Sequence, residues 1–236
     1  MLQSLVEMIK CRRRIAMKQK KINNLIIDYI FNNYDKETPI FTKDIYQKYS
    51  EISRSTIRSI LSRLVKENNI VRIAEGIYSL PNYDCAIGTI AISNNEIINK
   101  KYIRNDGKIF GYRTGISFAN KLGLTTQTAG VDSIISNCVA NKKREVKLNK
   151  TRVIVNSPRV EVTANNYKLL QILDLLNDYT SFSEINLEEG ASTIFKYLEG
   201  VNLERKEVEK IVNSYPREAQ VNFYKIRCQD AITSKY

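Results

Sequence analysis

No histidine occurs anywhere in the 236 residues, which removes Ser-His-Asp and Cys-His catalysis, His-ligated zinc and an imidazole pH switch from consideration. Cysteine is scarce and scattered. Cys11, Cys85, Cys138 and Cys228 stand far apart with no CxxC pair, the pattern of buried or idle thiols in a reducing cytosol rather than of a disulfide scaffold or a zinc module. With 9 glycines and 4 prolines in the chain there is no low-complexity linker, and no repeat stands out at the periods of solenoids. No apolar run approaches the length of about 18 residues needed to span a bilayer. The first residues, Met1-Leu2-Gln3-Ser4-Leu5-Val6, turn basic only afterwards, the reverse of a secretory signal, and lack a small-residue cleavage site. These absences lead to the expectation of a cytoplasmic protein whose domains are closely joined.

What the chain has in excess is positive charge. Lys and Arg number 37 against 25 Asp and Glu, a net charge of +12, which points to a polyanionic partner, nucleic acid first. A composition of 43% hydrophobic and 26% charged residues is that of a soluble globular chain able to bury a core. The charge is uneven. Residues 1–83 carry 15 basic and 8 acidic side chains, residues 84–160 carry 13 and 5, and residues 161–236 carry 9 and 12, so the last quarter is not expected to face phosphates. Residues 1–20, with Lys10, Arg12, Arg13, Arg14, Lys18 and Lys20 against Glu7, read as a basic N-terminal arm. Pro81-Asn82-Tyr83-Asp84 is the best punctuation, and divides a first domain (21–83) from a second (84–236).

The first domain reads as three helices and a hairpin. Ile22, Leu25, Ile26, Tyr29 and Ile30 make one apolar stripe of a helix. Ile40-Phe41 is a short extended stretch, Thr42 is placed as an N-cap, and Ile45, Tyr46 and Tyr49 follow on a second helix. Ser53 caps a third, whose Ile57, Ile60, Leu61, Leu64 and Val65 face inward. Its outer face presents Arg54, Ser55, Arg58, Ser59, Ser62, Arg63 and Lys66, with no acid before Glu67. A groove-reading helix needs this composition: arginine bonds bidentately to guanine and small hydroxyls allow close approach. Ile70-Val71-Arg72-Ile73 and Ile77-Tyr78-Ser79-Leu80 form a hairpin through Ala74-Glu75-Gly76, with Gly76 where φ must be positive. Together these make a winged helix-turn-helix. Glu75 at the wing tip would repel a phosphate, leaving Arg72 as the wing's contact residue. The bland reading is a protein-docking module with a merely solvated basic face.

The second domain reads as α+β. Asn95-Glu96-Ile97-Ile98 suggests a capped helix, and Gly111 to Gly123 a turn, a short helix and a glycine stop. Residues 134–139, 145–148 and 152–155 are β-rich runs expected to form an antiparallel meander. Leu169, Leu170, Ile172, Leu173 and Leu176 mark a buried helix, and residues 191–199, 203–213 and 217–230 three more, with Asn202 as a cap and Pro216 as a start. Gly107 to Gly111 and Gly111 to Gly115 fit no phosphate-binding loop and read as helix-entry turns. Asp174, Asp178, Glu188 and Glu189 read as a solvated face. Asp132 with Glu145 and Lys147 is the one pattern suited to a metal-dependent nuclease. Lys100, Lys101, Arg104, Lys108, Arg113 and Lys121, then Lys142, Lys143, Arg144, Lys147, Lys150, Arg152 and Arg159, interleave with Tyr102, Phe110, Tyr112 and Phe118 as a second polyanion surface, unless the aromatics are core.

Two blocks carry a family resemblance. Residues 55–66 with Arg72-Ile73-Ala74-Glu75-Gly76-Ile77-Tyr78, and the run from Phe110 to Leu124-Thr125-Thr126-Gln127, are together similar to the AbiEi-type antitoxins over roughly residues 21–178. The resemblance implies a non-enzymatic abortive-infection antitoxin of a type IV toxin-antitoxin system, encoded beside a nucleotidyltransferase-like toxin. It implies an N-terminal winged helix that represses its own promoter at inverted repeats. It also implies a following domain that counters the toxin without a stable complex. Carried over by position, the DNA contacts are Arg54, Ser55, Arg58, Ser59, Ser62, Arg63 and Arg72, to which the helix face adds Lys66. Glu75 departs from the basic residue common in that family's wing. No cofactor or metal is expected. The alternatives are a stand-alone winged-helix regulator, the metal-dependent nuclease above, and an antitoxin that masks its toxin by direct contact.

Overall fold

The computed structural model describes residues 17, 20–81, 92–139, 143–148 and 151–232. The chain is α+β and divides into two compact units between Glu96 and Ile97. The domain boundary expected at residues 83 and 84 lies outside the described residues, as does nearly all of the basic arm. No described helix is long and apolar enough to cross a membrane.

The first unit is built around α1 (residues 20–33), β1 (Ile40–Phe41), α2 (Thr42–Lys48), α3 (Arg54–Lys66), β2 (Val71–Ala74) and β3 (Ile77–Ser79). The strands form an antiparallel sheet in the order β1-β3-β2. Ile26 and Ile30 of α1, Ile40, Ile45, Ile57, Ile60, Leu61, Leu64, Ile70 and Tyr78 make one core. Leu25, placed on the α1 stripe by sequence, is exposed, and Ile27 packs against the core instead. Thr42 is not a cap: Phe41 holds the N-cap position and makes no side-chain bond. Thr42 uses its backbone N–H and its hydroxyl to donate to the Gly76 carbonyl at 2.9 and 3.1 Å, tying the start of α2 to the hairpin turn. Gly76 has φ +70°, as the turn between β2 and β3 requires. Ser53 caps α3 by accepting from the Thr56 N–H at 3.2 Å, and Asn68 in the left-handed region ends it.

The second unit begins within α4 (Asn94–Ile98), which Ser93 caps at the Glu96 N–H, and runs through a π-helical turn (Asn99–Ile103). β4 (Arg104–Asn105) and β5 (Lys108–Ile109) then form a hairpin through Asp106 and Gly107, both at positive φ, so residues 107–111 are not a helix entry. Gly111 to Thr114 are strand β6 rather than a turn. The glycine is there for clearance: a Cβ at 111 would lie 2.0 Å from the Tyr102 carbonyl oxygen and 2.6 Å from that of Ile135. α5 (Ile116–Lys121) follows and stops at Gly123, φ +73°.

The main sheet runs β6-β7-β9-β8, with β7 (Asp132–Ser136), β8 (Lys143–Leu148) and β9 (Thr151–Asn156). It is not a meander. β9 pairs in parallel with β7 and carries β8 at the outer edge, because buried Val153 and Val155 belong in the centre and the charged β8 does not. α6 (Tyr167–Asn177) is apolar over most of its circumference and is the centre of the helical layer. Around it lie α7 (Tyr179–Phe182), unforeseen from sequence, α8 (Leu187–Leu198), α9 (Arg205–Asn213), α10 (Arg217–Lys225) and α11 (Gln229–Ile232). Asn186, not a residue near 191, starts α8. Glu204 rather than Asn202 holds the N-cap of α9, and Pro216 that of α10. Cys228 is buried, its thiol pushed up to about 12 by burial, and Cys138 is exposed.

Candidate functional site

α3 sorts its residues by face. Ile57, Ile60, Leu61 and Leu64 are buried, whereas Arg54, Ser55, Arg58, Ser59, Ser62, Arg63 and Lys66 are all exposed, as is Arg72 on β2. Thirteen helical residues make a rod about 20 Å long, and the i, i+4 rows 54-58-62-66 and 55-59-63 run side by side along it. Acids occupy the first turns of α2, α8, α9 and α10, whereas α3, like α5, α6 and α7, has none there. A carboxylate there would stabilise the helix through its dipole. α3 forgoes that gain and keeps its positive end free of competing anions.

Two of the arginines are held in place by α2. The Arg58 Nε donates to the Tyr46 hydroxyl at 3.0 Å, and the Arg54 guanidinium lies 5.5 Å from the centroid of the same ring. With Nε engaged by Tyr46, the two terminal nitrogens of the Arg58 guanidinium are the donors this bond leaves over. Tyr46 was legible as an apolar-stripe residue, but its role as the shared rest for two cations was not. Ser53 and Ser55 join hydroxyls at 2.9 Å, and the Ser59 hydroxyl donates back to the Ser55 carbonyl at 3.0 Å. Arg63 meets Glu67 at 3.8 Å, a weak exposed pair.

A second convergence lies wholly in the second unit. Thr114 of β6, Ser133 and Ile135 of β7 and Asn156 of β9 face α6 across a cavity of about 440 Å³, with Asp174, Asn177 and Arg159 on its far side. The Tyr112 hydroxyl donates to Asp174 at 2.7 Å, and Tyr112 in turn lies 3.5 Å from the hydroxyl of Tyr215. Burial raises the Asp174 carboxyl from 3.8 to about 6, against the lowering effects of the Tyr112 bond and Arg159. The same burial drives the Tyr112 and Tyr215 phenols far above their ordinary range. This carboxyl is no solvated-face acid, although its neighbour Asp178 is exposed.

A family model described as a family of unknown function, DUF6088, matches residues 12–177. The chain belongs to that family. No curated protein matches it. The DUF6088 match spans both the α3 face and the sheet of the second unit, and stops at the end of α6.

The nuclease constellation is not assembled. Asp132 is in register with Val153, which is in register with Val146, whereas Glu145 sits opposite Ile154. Asp132 and Glu145 therefore lie two strands apart on opposite faces of the sheet. Asp132 is engaged by Arg113 and by the Ser117 hydroxyl, and Glu145 by Arg152 at 2.9 Å. Of the aromatics interleaved with the second basic stretch, Tyr102, Tyr112 and Phe118 are buried in core and Phe110 is half-buried. Lys142 and Lys150 lie outside the described residues.

Proposed function

We propose that the first unit is a winged helix-turn-helix that binds double-stranded DNA through α3, and that the chain is an AbiEi-type antitoxin repressing its own promoter. The observation that carries the reading is the exposed α3 face, which holds three arginines, a lysine and three serines with no acid before Glu67. Helix diameter and major-groove width match at about 12 Å. Hydroxyl-bearing positions keep the backbone near the bases, and the bond to Tyr46 restrains Arg58 through Nε and leaves its two terminal nitrogens to contact guanine or phosphate. Arg63, Lys66 and, on the hairpin, Arg72 supply backbone contacts that fix register. Glu75 at the hairpin tip keeps the wing's contribution small. The second unit, by the same resemblance, counters a nucleotidyltransferase-like toxin.

The test is genetic. A reporter fused to the chain's own upstream DNA should be silenced by the full chain and released by Arg54→Ala/Arg58→Ala. Co-expression should restore growth to cells producing the product of an adjacent nucleotidyltransferase gene, with the double variant still rescuing. Repression without rescue would make the protein a stand-alone regulator, and no repression would remove the DNA-binding reading.

A further inference from the structure

The second cleft of the second unit differs in character from the Asp174 cavity. It has a volume of about 330 Å³, and none of its described lining residues is acidic. Its floor is already fixed. Arg113 is held by Asp132 and donates to the Asn99 side chain at 3.2 Å, and Ser117 donates to the same Asp132. The Gln171 amide donates to the Arg113 carbonyl at 2.5 Å and accepts from the Tyr197 hydroxyl at 2.5 Å. What remains uncommitted stands at the rim. Arg104 and Lys121 are exposed and make no ion pair among the described residues, and the Tyr167 hydroxyl makes no hydrogen bond among them. Arg104 is in register with Ile109 on the β4–β5 hairpin, and both line the cleft. The carboxylate nearest the floor, Asp132, is already paired with Arg113, so two unpaired cations at the rim select an anion without first being stripped from a carboxylate. The volume exceeds what a bare phosphate fills and falls in the range of small-molecule sites. Ile103, Ile109 and the Tyr167 ring supply apolar wall for an organic body.

We propose that this cleft binds a phosphorylated nucleoside, its phosphates on Arg104 and Lys121 and its base against Tyr167. The inference goes beyond DNA binding by α3 and does not depend on it. The experiment is calorimetric titration of the full chain with each of the four ribonucleoside triphosphates, with tripolyphosphate and with adenosine. At least one triphosphate should bind about tenfold or more tightly than tripolyphosphate or the uncharged nucleoside. Arg104→Gln/Lys121→Gln should weaken it by about tenfold or more, while Lys206→Gln/Lys210→Gln on α9, which removes the same charge outside the cleft, should not. Tyr167→Ala should weaken the nucleotide and leave tripolyphosphate unchanged, the unchanged tripolyphosphate showing that the cleft is intact although this ring also packs against the core, and thermal melts of the two charge variants should match the parent. Equal binding of nucleotide and tripolyphosphate would overturn the proposal, as would an equal loss in the α9 variant. So would a single-stranded RNA that binds through Arg104 and Lys121 when no mononucleotide does.

Discussion

The two units handle polar side chains in opposite ways. In the first, the chemistry stands outside the core on one helix, and the arginines of α3 rest on a tyrosine of the adjoining α2. In the second, the polar groups are drawn into clefts beside the sheet, where Tyr112 meets Asp174 and where Arg113, Asp132, Ser117 and Gln171 interlock. An exposed face suits a large rigid polyanion that brings its own shape. A cleft suits a small ligand, or a proton, that must be surrounded. The difference teaches that positive charge alone does not define a surface's use: both units are basic overall, yet among the described helices it is α3 that combines charge, small residues and exposure along one line.

Four substitutions would break or sharpen this contrast. The largest effect belongs to Gly111→Ala, whose new methyl would meet two backbone oxygens that have no rotamer to move. The second unit should lose about 3 kcal/mol or more, seen as an early transition in thermal melting, while DNA binding by the α3 face persists. A single unshifted transition would show that the sheet gives way freely at this point.

Asp174→Asn comes next. A carboxyl raised from 3.8 to about 6 favours the folded state below pH 4, and that contribution is lost as pH rises through 6. At neutral pH its ionisation costs at most about 3 kcal/mol. The variant's melting temperature should therefore pull ahead of the parent's between pH 4 and 7, and parallel pH curves would contradict the desolvation assigned to this half-buried acid. Ser53→Ala should cost about 1 kcal/mol by removing the cap at Thr56, measured by denaturant titration. Tyr46→Phe should leave stability nearly unchanged, because the ring stays and only the bond to Arg58 is lost. Released from that rest, Arg58 must be ordered on binding at a cost of about 1 kcal/mol, so preference for own-promoter DNA should fall about fivefold with the salt slope unaltered. A lowered salt slope would mean that Arg58 touches only phosphate.

What was legible in the sequence follows the range of the interaction. Ser53, the α3 stripe and Gly76 announce themselves because cap, period and turn are settled within a few residues. The parallel β7–β9 pair is hidden because β8 intervenes in the chain, and nothing local says that β9 will lie inside the strand before it. β6 reads as a turn in sequence because its glycine serves a close backbone approach known only once Tyr102 and Ile135 are placed. Asp174 and Asp178 look alike at i, i+4, yet the first is drawn under Tyr112 and the second is left in water. Tyr46 shows the same limit at the α3 site: the face was readable, and the residue from α2 that aims it was not.

The central claim is that α3 reads DNA, and titration across a salt series tests it most directly. The full chain and Arg54→Ala/Arg58→Ala would each be titrated against the chain's own upstream DNA and a shuffled control. The account predicts that own-promoter DNA binds at least about tenfold tighter than the control at physiological salt, and that the double variant loses this preference. Equal binding of both DNAs, with affinity collapsing as salt rises, would contradict it and reduce the α3 face to an electrostatic surface.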